Sequence, residues 1–130
     1  GYVPIDLITG IRIPFIIPDN AQPLSTTQNV LDSLVELIES TSNLDNFILR
    51  IDGYTCDIGT GAHNYNLSLR RAKVVANYVR MNSTRAVQFE VFGHGESDPL
   101  LPNISEKNRR ANRRAEARIL QKSLQTRYTE

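Results

Sequence analysis

Arg71 stands on what is otherwise an apolar helical stripe of this 130-residue chain. At spacings of four it shares a helix face with Leu67 and Val75, so its guanidinium must snorkel to water or find an anion. That anion could be a carboxylate of the chain, such as Asp57, or a ligand. Arg70 faces the other side with Lys73 and Asn77, a solvated position. Cys56 with His63 or His94 has the residue types of a thiol nucleophile or a metal site. No third ligand recurs at CxxC or HxxxH spacing, however, and no orienting partner is visible. The chain therefore reads as no enzyme, with no metal and no cofactor. GTG at 59–61 and GHG at 93–95 are isolated GxG pairs without the third glycine of a dinucleotide fold, and they read as turns. Glu96 and Asp98 lie in the second of these loops, either beside a ligand or simply solvated.

The elements that must position these residues follow from periodicity. Ile11, Ile13, Phe15 and Ile17 alternate as in a half-buried strand, and Pro14 favours an edge position. A helix opens near Ser25–Thr27 and carries Leu31, Leu34, Val35 and Ile38 on one stripe until Asn43–Asn46 stops it. Phe47–Ile51 is a short apolar run between turn residues, expected as a strand buried on both faces. After the turn at 53–66, a second helix points Leu67, Val74, Val75, Tyr78 and Val79 inward and closes at Asn82-Ser83. Val87, Phe89 and Val91 alternate as a third strand; Gly93 to Pro99 is a loop; 105–113 is a polar helical turn. Ala115, Ala117 and Ile119 alternate as a last strand. Gly1–Gly10 reads as a leader or linker, 11–120 as one domain, and 121–130 as a C-terminal tail.

This order, β-α-β-α-β-β, predicts an α+β fold: a two-layer α/β sandwich with both helices on one face of a mixed sheet. Forty per cent hydrophobic and 22% charged residues are ordinary for a globular domain of this length. A formal net charge of +1 argues against a nucleic-acid binder working by bulk electrostatics. The basic run Lys107, Arg109, Arg110, Arg113, Arg114 and Arg118 is interrupted by Glu116 and lacks aromatics for base stacking. No apolar run is long enough to span a membrane, and no basic, apolar and small-residue series of an export signal opens the chain. One cysteine excludes an internal disulfide.

Three stretches in fixed order carry a resemblance: GYTCDIGTGAHNYNLSLRRA (53–72), GHGESDP (93–99) and NRRAE (112–116). The OmpA-like domain, the peptidoglycan-binding module of Gram-negative envelope proteins that includes Pal and MotB, runs GHTD, a Gly turn, LSxxRA, GxGExxP and NRRVE. The chain resembles that family over about residues 11 to 120. The resemblance implies a periplasmic module that binds the diaminopimelate side chain of a peptidoglycan stem peptide, which carries an ammonium and a carboxylate on one carbon. An Asp would accept from the ammonium and an Arg would fork onto the carboxylate. Carried over residue by residue, the Arg is Arg71, and Asn64 and Leu67-Ser68 also match; Arg113 or Arg114 of the NRR element would contact the wall, or the basic run forms a solvated polar turn with one Arg bridging to Asp52 or Asp57.

The pattern departs at the acid. Cys56 occupies the Asp position, Asp57 follows it, and Tyr54 replaces the His. A thiol is a weak acceptor, and losing a charge-assisted hydrogen bond costs roughly 1.5–3 kcal/mol, a tenfold to hundredfold loss of affinity. Either the chain slips by one residue and Asp57 takes the place, or the site is degenerate. Two functions therefore stand side by side. The first is a wall anchor using Asp57, Arg71, Asn64, Cys56, Leu67 and Arg114. The second is a scaffold subunit that binds partner proteins of an envelope-spanning complex, similar to domains of secretion-machine lipoproteins, including that of the Dot/Icm type IVB system, and of flagellar motor proteins. Both imply the periplasm, with a tether to the outer membrane.

Overall fold

The computed structural model describes residues 2–4, 10–15 and 17–122. Its elements run β1 (Tyr2–Pro4), β2 (Ile11–Pro14), α1 (Ser25–Ser40), a 3-10 turn (Leu44–Asn46), β3 (Phe47–Gly53), α2 (Gly61–Asn82), β4 (Phe89–Gly93), α3 (Glu106–Asn112) and β5 (Arg114–Lys122). The expected mixed two-layer sandwich is what forms. β5 is central: it pairs antiparallel with β3 on one flank and with both β1 and β2 on the other, while β3 and β4 are parallel.

Alternation sorts the sheet into two faces. Ile13, Leu49, Ile51, Ala115, Ala117 and Ile119 point to the helices and close a core with Leu31, Leu34 and Ile38 of α1 and Val75 and Val79 of α2. Tyr78 and Val74, expected inward, only border that core. The opposite face carries Arg50, Asp52, Arg114, Glu116 and Arg118, joined by ion pairs. Phe47–Ile51 is thus apolar on one face only beyond Ile48, because Arg50 breaks the other.

Two junctions fix α2 against the sheet. A Cβ on Gly53 would lie 1.8 Å from the Ser68 carbonyl oxygen, and one on Gly93 would lie 2.7 Å from Ser68 Oγ. Gly53 and Gly93 are register partners of β3 and β4, so the two glycines together open the space that α2 occupies. Thr60 caps α2, accepting from the His63 amide. Thr27 does not cap α1; its hydroxyl donates to the Pro14 carbonyl and ties α1 to β2.

Several boundaries move. β2 ends at Pro14, with one more bond from the Phe15 amide to the Arg113 carbonyl. The third strand starts at Phe89, two residues late, because its register is set by β3 through Leu49↔Phe89. β5 reaches Lys122, and Tyr2–Pro4, inside the stretch read as a leader, pairs with its end. Residues 5–9 of that stretch and 123–130 of the expected tail lie outside the described residues.

Candidate functional site

The turn at 54–60 leaves β3 still pinned on both sides: the Tyr54 amide donates to the Arg114 carbonyl and the Thr55 amide to the Gly95 carbonyl, each at 2.8 Å. Side-chain alternation therefore continues through the turn. Cys56 faces inward, 1% exposed, and Asp57 faces out. The one-residue slip that would place Asp57 where Cys56 stands does not occur, because these two bonds hold the strand's register.

Arg71 is fully buried. It donates from Nη1 to the Tyr54 carbonyl (3.0 Å), from Nη2 to those of Ile17 (2.9 Å) and Asn20 (3.1 Å), and from Nε to Asn20 (3.2 Å). A longer contact reaches the Pro18 carbonyl. Its guanidinium lies 5.6 Å from the Phe15 ring centroid. Burial depresses its pKa to about 10, still charged at neutral pH. Arg71 does not snorkel to water, and it pairs with no carboxylate among the described residues. It clamps the segment joining β2 to α1 onto the turn after β3.

Around Cys56 the buried groups are polar and cationic. Arg113 Nη1 lies 3.7 Å from the thiol sulfur, and Arg113 also pairs with the exposed Glu106 at 2.7 Å. Asn64 donates weakly to the Cys56 carbonyl at 3.4 Å, and its buried Oδ1 has no hydrogen-bond partner among the described residues. Leu67 is buried one turn further along α2, beneath this locus. The six residues carried over from the resemblance thus separate. Cys56, Asn64, Arg71 and Leu67 are interior; Asp57 is at the rim; Arg114 is on the other face of the sheet.

The bridge expected from one Arg of the basic run to Asp57 forms, and the arginine is Arg109. Asp57 Oδ1 accepts from Arg109 Nε at 2.8 Å, with the two side chains 39% and 30% exposed. Asp57 raises the Arg109 pKa. Arg109 is steadied by a second bond to the Asn103 carbonyl, and that loop is held by buried Asn112, whose Oδ1 accepts from the Leu100 and Leu101 amides. A second rim pair joins His63 to Asp19 at 2.6 Å. No local sequence signal links residues 57 and 109; only the α3–β5 chain reversal brings them together.

Arg114 stacks 3.9 Å over the Tyr54 ring and pairs with Glu116. Tyr54 in turn stacks on His94, with centroids 4.9 Å apart, and His94 Nε2 donates to Asp52 at 2.6 Å. Burial raises the Asp52 pKa, but donors from Arg50 and His94 outweigh it and leave the carboxyl below its usual range. This stack props the turn from the open face of the sheet. Among the described residues no group of three His, Cys, Asp or Glu side chains could hold a metal.

Chemically, the locus offers a half-exposed anion of the turn, Asp57, side by side with a cation of α3, Arg109. Residues 18–113 match the model of the OmpA family. The peptidoglycan-binding protein ArfA of Mycobacterium tuberculosis is 28% identical over 86% of this chain and 33% of its own length. Outer membrane porin F of Pseudomonas fluorescens is 35% identical over 55% of this chain and 22% of its own. The chain thus spans between a fifth and a third of the length of these relatives. The crystal structure of the periplasmic domain of Helicobacter pylori MotB superposes with a TM-score of 0.78 at 18% identity, over 98% of this chain and 87% of that one, a likeness of fold.

Proposed function

The chain belongs to the OmpA family, and from that premise we propose that it is a non-enzymatic periplasmic module that anchors an envelope assembly to the cell wall. Its ligand in this reading is the diaminopimelate stem peptide of peptidoglycan, bound noncovalently. The observation that carries the proposal is the half-exposed ion pair between Asp57, on the turn after β3, and Arg109 of α3. A ligand carbon bearing an ammonium and a carboxylate can replace both halves of that pair: Asp57 accepts from the ammonium, and Arg109 takes the carboxylate. Arg71, Asn64 and Leu67 act beneath as positioning residues, Arg114 acts through its stack on Tyr54, and Cys56 lines the floor. The peptidoglycan-binding relative ArfA supports the ligand class, and the MotB periplasmic domain supports the compartment. The outer-membrane tether and the partner subunits of an envelope-spanning complex belong to the same proposal.

A second reading is favoured by one observation: a buried thiol, in contact with Arg113, stands where the family pattern has an acid. In that reading the domain is a scaffold that has lost wall binding and engages partner proteins. Titration with a diaminopimelate-containing muropeptide separates the two. Saturable binding by the native chain, weakened roughly tenfold or more by Asp57→Asn, supports the anchor. No binding by the native chain, regained in Cys56→Asp, supports the scaffold.

A further inference from the structure

A groove of about 370 Å³ opens at the β2 edge of the sheet, between Pro14, Val30 of α1, Leu100, and Arg110–Ala111 of α3, with Arg12, Arg113 and Arg114 completing its wall. None of the turn at 54–60 lines it. Four arginines and no acidic residue are among its lining residues. Arg113 and Arg114 are buried and hold Glu106 and Glu116, which lie outside the lining. Arg12 and Arg110 are exposed at the mouth, and their side chains make no hydrogen bond or ion pair with any described residue, although Arg12 is the register partner of Glu116. With Arg113 and Arg114 held by acids of the chain, the positive charge the groove presents to solvent is that of Arg12 and Arg110 at its mouth.

We propose that this groove docks an acidic peptide segment of a partner protein, with one or two carboxylates bound by Arg12 and Arg110 and an adjacent aliphatic side chain against Pro14, Val30, Leu100 and Ala111. Charge complementarity calls for an anion. The apolar half of the wall calls for one attached to a hydrocarbon side chain rather than a bare ion. The size fits a few side chains, at the small end of ligand pockets, about 300–1,000 Å³. Concavity suits a chain segment better than a flat lipid surface, and the lining has no aromatic side chain for stacking nucleic-acid bases. Guanidiniums suit carboxylates because their planar donors match the two oxygens.

The test is fluorescence anisotropy of a labelled Leu-Glu-Leu-Glu peptide against the full chain, with Leu-Gln-Leu-Gln as the neutral isostere. The double variant Arg12→Gln/Arg110→Gln removes only exposed, unpaired side chains, and its urea midpoint should match the native one. The proposal expects saturation by the Glu peptide, about tenfold or more weaker binding by the Gln peptide and by the double variant, and no displacement by muropeptide. Equal binding of the two peptides, no loss in the double variant, or no binding of either overturns it. Displacement of the peptide by phosphatidylglycerol vesicles would reassign the groove to a lipid surface, and displacement by muropeptide would merge it with the turn site; each also overturns it.

Discussion

Replacing Arg71 with Met keeps the aliphatic stem beside Phe15 and removes every donor that joins three segments of chain. The carbonyls of Ile17, Pro18, Asn20 and Tyr54 then lose their partner inside the protein. The Tyr54 acceptor is buried and costs about 1–3 kcal/mol if left unsatisfied, whereas Ile17, Pro18 and Asn20 lie in an exposed segment and their carbonyls cost less. Against this, the buried charge itself opposes folding, as its pKa drawn down to about 10 shows. The lost bonds between three segments outweigh that relief, and the expected net loss is about 1–3 kcal/mol. A domain of this size has about 5–15 kcal/mol in total, so Arg71→Met should fold with a clearly lowered midpoint. Urea unfolding followed by far-ultraviolet circular dichroism measures this directly, with an unchanged slope and a lowered midpoint. Arg71→Lys, with one ammonium for four carbonyls, should fall between. A Met variant within 1 kcal/mol of native that nevertheless loses muropeptide binding would refute the clamp and make Arg71 a ligand contact.

Gly53→Ala should be severely destabilising, because its Cβ would meet the Ser68 backbone at 1.8 Å and α2 would have to lift; overpacking of this kind costs about 1–3 kcal/mol or more. Gly61→Ala, at the first residue of α2 with nothing within 4 Å, should instead stabilise the fold by about 0.4–1 kcal/mol, read as a raised urea midpoint. Asp52, whose folded pKa lies below its ordinary 3.8, contributes stability that is complete above that value and is lost as pH falls through the lower folded pKa. Asp52→Asn should therefore flatten the fall of the urea midpoint below about pH 4, and an unchanged acid limb would contradict the assignment.

Much of this fold is legible in the sequence because period and burial coincide. Leu31, Leu34 and Ile38, then Leu67, Val75 and Val79, then Ala115, Ala117 and Ile119, each repeat at the spacing of the element they occupy, and all are buried. The three motif stretches likewise fall where the turn, the second loop and the α3–β5 junction are built. What sequence could not yield depends on long-range pairing. The start of β4 is decided by its partner Leu49, not by Val87. Three residues, Tyr2–Pro4, are too few to show a period, and only the end of β5 makes them a strand. The stripe position of Arg71 correctly flagged an unusual group, yet its acceptors are main-chain carbonyls at 17–20, some fifty residues earlier and carrying no side-chain signature. Asp57 and Arg109 are 52 residues apart and meet only in three dimensions. Arg114, grouped with the wall contacts by the motif, sits against Tyr54 because β5 alternation turns it away from the turn's mouth.

Recognition of a paired ammonium and carboxylate by Asp57 and Arg109 is the central proposal. Isothermal titration of the native chain with two muropeptides tests it, one carrying diaminopimelate and the other lysine, which lacks only the distal carboxylate. The diaminopimelate form should bind roughly tenfold or more tightly, with Arg109→Gln abolishing the difference between the two. Equal affinity of the native chain for both muropeptides, or a preference that survives Arg109→Gln, would contradict it.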